Sequence, residues 1–175
     1  MRPFGLLLAG LLLTACGSGS TPPVSSSAAG TLTVTSDAFS AGGSIPTTYT
    51  CKGEGTAPTI RWSGDLHGAT AIAVVVDDPD APSGTFVHRV VLDLPPTATS
   101  LGPDVPAGAH QAKNSGGGTG WTPPCPPSGT HHYRFSVYGL STVTGLADGA
   151  DTDQAVKAVT DRAVVQGRLT GTVSK

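Results

Sequence analysis

Hydrophobic residues after position 30 fall in short segments that predict β-strands. Leu32–Thr35 alternates apolar and polar residues, which is typical of a strand with one buried face. Ala71–Val76 is continuously apolar and mostly β-branched, which predicts a strand buried on both faces. Four further segments complete the predicted strands: Val87–Leu94, His132–Leu140 and the weaker candidates Ile45–Thr50 and Thr59–Trp62.

One segment near the C-terminus has helical periodicity instead. Asp151 or Thr152 is expected to cap this helix, and Gly167 is expected to end it. Arg168–Val173 then predicts a last strand, and the Gly- and Pro-rich stretch Pro95–Pro127 predicts a long loop. The predicted architecture is an antiparallel β domain with one late helix packed on it. The apolar stripe of the helix consists of Ala155, Val156, Val159, Ala163 and Val164.

The first fifteen residues have the pattern of a secretory signal peptide. Arg2 precedes an apolar run of ten residues, Phe4–Leu13, which is too short to span a bilayer as a helix. The run leads into Leu13-Thr14-Ala15-Cys16, which resembles the bacterial lipoprotein box and implies cleavage after Ala15 and lipidation of Cys16. A plain signal peptide with a chance cysteine is the alternative. We expect a signal peptide at 1–15, a lipidated cysteine and flexible linker at 16–30, and a folded domain at 31–175.

Composition narrows the classes of function. The chain has 10 Lys and Arg residues against 12 Asp and Glu residues, a net charge of −2, and only 13% of its residues are charged. This balance excludes a nucleic-acid binder of the ordinary basic kind. No internal apolar stretch reaches the roughly 18 residues of a transmembrane helix, which excludes a polytopic membrane protein.

The cysteine count bears on the compartment. There are three cysteines, and if Cys16 is lipidated, Cys51 and Cys125 remain as an even pair. In an oxidising compartment we expect this pair to form a disulfide. Two free buried thiols are the alternative.

Three of the predicted strands have an apolar face that ends in a polar side chain. Because side chains alternate along a strand, Asp78 continues one such face, His88 precedes a second, and Tyr133 and His131 precede a third. If these strand ends converge, they form a small pocket with apolar walls and a polar mouth. The alternatives are ordinary surface histidines and simple turn chemistry at Asp78-Pro79-Asp80. The three faces are those of Ile72, Val74 and Val76; of Val90, Leu92 and Leu94; and of Phe135 and Val137.

Two longer segments resemble the signatures of the phosphatidylethanolamine-binding proteins, also called Raf kinase inhibitor-like proteins. Asp77–Ser83 followed by Phe86–Pro95 is similar to the family's Asp-Pro-Asp-Ala-Pro and His segment. Pro124–Phe135 is similar to its Gly-Pro-x-Pro-Pro-x-Gly-x-His-Arg-Tyr segment. The resemblance covers roughly residues 31–173. It implies a mostly β fold with a large central antiparallel sheet, a smaller second sheet and a few helices.

The resemblance also implies a pocket for phosphate-like or carboxylate groups and phospholipid headgroups. The chain departs from the family pattern at three positions, with Pro123 in place of Gly, His132 in place of Arg, and Arg89 in place of an aromatic residue. Pro123 removes a backbone N–H donor that a phosphate would use. In such a tight loop we expect a cis Ala81–Pro82 bond. Carried over residue by residue, the ligand-binding residues are Asp78, Pro82, His88, Pro124, His131 and Tyr133.

These features predict a membrane-tethered protein on the extracytoplasmic side that binds a small anionic ligand or a phospholipid headgroup. In that pocket His88 and His131 would donate to the anion, and Asp78 would orient one imidazole. The alternative is an inhibitory protein-binding module acting on an exported protease or kinase domain, and a hydrolase is the weakest hypothesis. We expect no enzyme activity, because the sequence has no Gly-x-Ser-x-Gly elbow. We expect no cofactor, no metal and no nucleic-acid partner.

Overall fold

The computed structural model describes residues 31–175, which are the predicted folded domain. The predicted signal peptide (1–15), the lipidation at Cys16 and the linker lie outside the described residues. Residues 31–175 form eight strands and one α-helix, α1, which lies between the last two strands. Their bounds are β1 (Thr33–Ser36), β2 (Ile60–Ser63), β3 (Ala71–Asp78), β4 (Phe86–Leu94), β5 (Ser100–Leu101), β6 (His110–Gln111), β7 (Thr130–Leu140), α1 (Thr152–Arg162) and β8 (Ala163–Ser174).

The strands form two antiparallel sheets. The large sheet has the order β6-β4-β3-β7-β8, and the small sheet has the order β1-β2-β5. The predicted fold class, mostly β with a large sheet, a smaller second sheet and a late helix, is therefore confirmed. No helix within residues 31–175 is long and apolar enough to cross a membrane.

β3 lies in the middle of the large sheet and is buried on both faces, as its continuous apolar run predicts. Ile72, Val74 and Val76 pack toward the small sheet, in the same core as Trp62 and Phe135. On the opposite face, alternate residues of β3 pack under α1 in a second core. Both faces of the sheet are therefore covered by apolar packing, and polar side chains reach solvent at the ends of the strands.

Asp151, one of the two predicted capping residues, caps α1: its carboxylate accepts hydrogen bonds from the backbone N–H groups of Asp153 and Gln154. The prediction that the helix continues to Gly167 is wrong, because α1 ends at Arg162 and Ala163 already belongs to β8. β8 pairs with β7 along almost its full length. Backbone pairing with a neighbouring strand therefore overrides a helical hydrophobic pattern that Ala163 and Val164 also fit.

Gly167 allows two chain segments to approach closely. A Cβ atom built there would lie only 2.2 Å from the carbonyl oxygen of Leu32. The backbone N–H of Leu32 donates to the carbonyl of Gln166 at 2.9 Å, which fixes this crossing. Gly167 is therefore needed for the close contact between β8 and the start of the domain. It does not end the helix, because α1 already ends at Arg162.

We expect Gly167→Ala to lower the free energy of unfolding by about 2 kcal/mol, because the added methyl group overlaps rigid backbone. Chemical denaturation measures this change. Gly118→Ala is the matched control, because a Cβ atom there has only one neighbour within 4 Å, at 3.8 Å. We expect the control to change stability by less than about 0.5 kcal/mol. A neutral Gly167→Ala variant would contradict the close-contact explanation.

Two other predictions about local structure are wrong. Ile45–Thr50 is not a strand, because Pro46 starts a 3-10 turn at Thr47–Tyr49 and has no N–H for a strand ladder. The Ala81–Pro82 bond is trans, as is every peptide bond within residues 31–175. Gly84, with a φ of 101°, closes the turn by donating to the carbonyl of Ala81. The predicted loop Pro95–Pro127 is present, interrupted only by β5 and β6.

Candidate functional site

A cavity of about 200 Å³ opens at the end of the large sheet where β3 ends and β7 begins. Five of the six predicted ligand-binding residues line it: Asp78, Pro82, His88, His131 and Tyr133. Pro124 does not line the cavity. It is buried behind the wall, where its carbonyl accepts from the backbone N–H of Cys51 at 3.0 Å, and its neighbours Pro123 and Cys125 face the cavity instead.

Strand alternation brings three of these residues together. His131 and Tyr133 lie on the face of β7 that continues into the core at Phe135. β3 pairs with β7, and Asp78 at its end continues the core-facing side of that strand. Tyr133 and Asp78 are only 1% and 4% exposed, so both are buried residues that line the inner part of the cavity.

His88 reaches the cavity by a different route from the one that alternation predicts. On β3, Val76 pairs with Arg89 and Asp77 pairs with Val87, which leaves His88 as the extra residue of a β-bulge. Val90 and Leu92 therefore pack on the opposite face, under α1, and the prediction that they share a face with His88 is wrong. The bulge turns the His88 ring toward Tyr133, with the two ring centroids 5.2 Å apart.

Both cavity histidines are held by a hydrogen bond from Nδ1. His131 Nδ1 donates to Asp78 Oδ2 at 2.7 Å, and His88 Nδ1 donates to the carbonyl of Thr122 at 2.7 Å. A carboxylate and a carbonyl only accept, so Nδ1 carries the proton in both neutral rings. Neither Nε2 atom has a hydrogen-bond partner within residues 31–175, so these are the ring atoms left for a ligand.

Two of the ionisable rings that line the cavity, His88 and Tyr133, are shifted toward their neutral forms. Burial lowers the pKa of His88, and the opposing effects of the Thr122 carbonyl and of Asp78 are smaller. Burial, followed by the nearby charge of Asp78, raises the pKa of Tyr133. At neutral pH the cavity therefore contains an uncharged His88 and a Tyr133 hydroxyl that keeps its proton and remains a donor.

The three departures from the family pattern occupy different places. Pro123 lines the cavity. His132 points away from His131, and its Nδ1 and backbone N–H both donate to Asp80, which lowers the pKa of that carboxyl. Arg89 is buried and donates to the carbonyls of Gly102 and Pro103, and burial lowers its pKa to about 10. Only Pro123 of the three bears on the cavity itself.

The predicted disulfide is present and forms part of the cavity wall. Cys51 and Cys125 are bonded across a sequence separation of 74 residues, and Cys125 faces the cavity. The indole N–H of Trp121 donates to the carbonyl of Gly55 at 3.0 Å, so the disulfide, this bond and the backbone bond from Cys51 to Pro124 all link the loop to the same turn. A structural disulfide is typical of an oxidising, extracytoplasmic compartment.

Phe86 and Thr122 also line the cavity, and sequence reasoning did not find them. Phe86 lies two positions before His88, and its ring centroid is 4.8 Å from that of His88. An aromatic residue two positions from a candidate histidine on a strand is a signal that could have found it. Thr122 acts through its backbone carbonyl, which has no signature in the sequence. Residues 31–175 contain no group of three or more His, Cys, Asp or Glu residues placed to hold a metal ion.

The fold and the site define a class of protein: a two-sheet β domain with a His-, Asp- and Tyr-lined cavity at one end of its central sheet. The family model described as "Phosphatidylethanolamine-binding protein" matches residues 35–174. The chain therefore belongs to the phosphatidylethanolamine-binding protein family, as the resemblance in its sequence implied.

Relatives of known sequence or structure agree with this assignment. The chain is 45% identical over 148 residues to a Mycobacterium tuberculosis protein named "Putative lipoprotein LppC", covering 83% of this chain and 73% of that protein. The crystal structure of the homologue CT736 from Chlamydia trachomatis has a TM-score of 0.76 and 33% identity, covering 83% of this chain and 98% of that one. The crystal structure of E. coli YbcL, described as a new member of the mammalian PEBP family, has a TM-score of 0.77 and 29% identity, covering 82% of this chain and 98% of that one.

Proposed function

We propose that the cavity binds a small anionic group, a phosphate or a carboxylate, between His88 and His131. The observation that carries this proposal is the pair of imidazoles whose Nδ1 atoms are held by Thr122 and Asp78. Each ring then presents Nε2 to the ligand, and that atom becomes a charged donor when the ring takes up one proton, from solvent or from the acid form of the ligand, as the anion binds. Tyr133 adds a neutral hydroxyl donor.

The size of the cavity supports a terminal group as the ligand. Its volume of about 200 Å³ is below the roughly 300 Å³ at which sites for whole drug-sized ligands begin. Pro82, Phe86 and Pro127 give it apolar walls. The ligand therefore inserts one anionic group and leaves the remainder outside, which free phosphate, a small carboxylate and a phospholipid headgroup all satisfy.

We further propose that the protein acts from a lipid anchor at Cys16, with the domain on the extracytoplasmic side of the cell membrane. The Leu13-Thr14-Ala15-Cys16 tetrad, the Cys51–Cys125 disulfide and the lipoprotein name of the Mycobacterium tuberculosis relative support this location. Mass measurement of the protein purified from its own cells tests it. We expect cleavage before Cys16 and an added acyl mass, and an unmodified Cys16 would contradict the anchor.

We propose a binding role and not a catalytic one. Cys125, which faces the cavity, is held in the disulfide and supplies no thiolate nucleophile. The other lining side chains that bear a hydroxyl, Thr122 and Tyr133, have no hydrogen bond to a cavity histidine among residues 31–175 that would activate them.

Titration of the purified protein with inorganic phosphate, acetate and glycerophosphoethanolamine tests the ligand proposal. We expect the ring signals of His88 and His131 to shift at millimolar ligand. His88→Asn and His131→Asn should each weaken binding about tenfold, the loss expected for one charged hydrogen bond. His67→Asn is the matched control, because His67 is exposed, lies in a loop and has a positive φ of 50° that Asn tolerates.

The three ligands separate the possible sources of the anion. Equal binding of phosphate and glycerophosphoethanolamine indicates that the cavity recognises the phosphate alone, whereas tighter binding of the latter indicates a headgroup. An absence of any shift in either histidine would contradict the proposal. If this protein instead inhibits a partner protein through the loops around the cavity, both histidine variants should still inhibit that partner. Retained inhibition with lost anion binding would therefore favour the protein-binding alternative.

The pH dependence of His88 gives a second test. In the free protein its pKa lies below 6.5, so its contribution to stability is present above pH 6.5 and is lost as the pH falls through its lowered value. A bound anion favours the protonated ring and raises this pKa. We therefore expect phosphate affinity to increase as the pH falls from the raised pKa of His88 in the complex toward its lowered pKa in the free protein. NMR titration of His88 with and without phosphate measures both shifts, and an affinity that falls with acid would contradict the role of His88.

A further inference from the structure

The residues that line the cavity of His88 and His131 fall into two groups by burial. The four with ionisable side chains are buried and form the inner part: Asp78, His88, His131 and Tyr133. The other lining residues are half-buried or exposed, so they form the mouth through which a ligand extends toward solvent. Apart from Thr122, the residues of this mouth are Ala81, Pro82, Phe86, Pro123, Cys125 and Pro127.

The mouth is almost entirely apolar. Thr122 supplies its one side-chain hydroxyl, and Cys125 is bonded to Cys51 and carries no thiol proton. Three of the mouth residues are prolines, which have no backbone N–H to donate. No Lys or Arg residue among residues 31–175 lines the cavity. The part of a ligand that follows its anionic group therefore meets mainly carbon at the mouth.

The carboxylates near the cavity are already hydrogen-bonded. Asp78 accepts from the backbone N–H of Asp80 and from His131 Nδ1. Asp80 does not line the cavity, and it accepts from the backbone N–H and from Nδ1 of His132. An ammonium group carried by the ligand would lose hydration at the mouth without gaining a carboxylate there. The mouth therefore favours an uncharged, apolar group next to the anion.

The size of the cavity favours a ring as this apolar group. A phosphate has the volume of roughly three water molecules, about 90 Å³, which is less than half of the 200 Å³ of the cavity. An apolar cavity of about 150 Å³ takes one benzene molecule, so the space left toward the mouth is close to that of a six-membered ring. The ring of Phe86 lies at this mouth and packs on His88, where it provides an aromatic surface beside the anion.

We propose that the ligand of this cavity is an aromatic anion, an aryl phosphate or aryl carboxylate, whose ring contacts Phe86, Pro123 and Pro127. The inference rests on the proposed function for the anionic end of the ligand, and it names the group bonded to that end. Pro123 contributes in two ways, because it removes a backbone N–H from the mouth and adds an apolar ring to its wall.

Titration of the protein at neutral pH with phenyl phosphate, methyl phosphate and O-phosphoethanolamine tests this proposal. We expect phenyl phosphate to bind about tenfold more tightly than methyl phosphate, the ratio that burial of roughly 55 Å² of additional apolar surface gives. O-phosphoethanolamine should bind no more tightly than methyl phosphate. Benzoate should exceed acetate by a similar ratio, and the ring protons of phenyl phosphate should show nuclear Overhauser contacts to the ring of Phe86.

Variants of the mouth test where the ring binds. Pro123→Ala and Pro127→Ala each remove part of the apolar wall. Each should lower the ratio of phenyl phosphate affinity to methyl phosphate affinity about threefold, while methyl phosphate binds at least as tightly as before. Pro96→Ala is the matched control, because Pro96 is exposed and does not line the cavity, and it should leave the ratio unchanged.

The outcomes separate this proposal from the anion site on which it rests. Equal affinities for phenyl phosphate and methyl phosphate, with both histidine signals shifted, would overturn the aromatic ligand and leave the anion site in place. Tighter binding of O-phosphoethanolamine than of phenyl phosphate would overturn it in favour of a headgroup. Phenol that binds as tightly as phenyl phosphate would also overturn it. If no anion moved the signals of His88 or His131, the proposed function itself would fail.

Discussion

The double variant Cys51→Ser, Cys125→Ser is expected to lower the free energy of unfolding by about 4 kcal/mol. The bond closes a loop with a sequence separation of 74 residues, and loop-closure entropy in the unfolded chain gives this magnitude. Both cysteines are exposed, so serine adds no buried polar group in their place. The loss is therefore expected to come mainly from the unfolded chain and less from packing in the folded one.

Urea denaturation of the oxidised protein, the double variant and the reduced wild type measures this change. The reduced wild type and the double variant should unfold at the same urea concentration, because both lack only the bond. A loss below about 1 kcal/mol would show that the bond contributes little. Cys51→Ser alone is a useful fourth sample, because it leaves Cys125 as a free thiol on the cavity wall.

The same variant should affect the cavity less than it affects stability. Thr122 remains held to β4, because its backbone N–H donates to the carbonyl of His88 at 3.0 Å. The backbone bond from Cys51 to Pro124 also remains. Phosphate binding by the double variant below its unfolding transition should therefore stay within a few fold of the wild type.

Strand alternation was sufficient to predict the contributions of β3 and β7 to the site. Both strands are regular where they reach the cavity, so the positions of Asp78, His131 and Tyr133 follow from the apolar residues that precede or follow them. The central position of β3 follows from its continuous apolar run, since an edge strand or a half-exposed strand would alternate.

The features that the sequence could not supply depend on long-range pairing. The bulge at His88 is defined by which residues of β3 and β4 pair, and its flanking residues have ordinary strand composition. The helix boundary at Ala163 depends on pairing with Leu140 on β7. Pro124 was assigned to the cavity by its place in a family signature, whereas its neighbours Pro123 and Cys125 are the residues that line it.

Asp78→Asn is expected to reverse the tautomer of His131. In the wild type, Asp78 accepts two hydrogen bonds, from the backbone N–H of Asp80 at 2.8 Å and from His131 Nδ1 at 2.7 Å. An asparagine has one accepting oxygen and one donating amide nitrogen, so it cannot accept on both sides. The backbone N–H of Asp80 can only donate, whereas Nδ1 of a neutral imidazole can either donate or accept. The amide nitrogen will therefore donate to Nδ1, and the proton of neutral His131 will move to Nε2.

This rearrangement should weaken phosphate binding about tenfold. In the variant, neutral His131 donates to the anion from Nε2. The ring cannot also take up a proton at Nδ1, because that proton would face the N–H of the asparagine amide. The charge-assisted hydrogen bond of the wild type is therefore replaced by a neutral one. The ¹⁵N shifts of the His131 ring report the tautomer directly, and phosphate titration reports the affinity. Asp77→Asn removes the same charge one residue away, where the carboxylate binds Arg134, and should leave the His131 tautomer unchanged. If neutral His131 kept its proton on Nδ1 in the Asp78→Asn variant, the hydrogen bond between residues 78 and 131 would not determine which ring nitrogen donates to the anion.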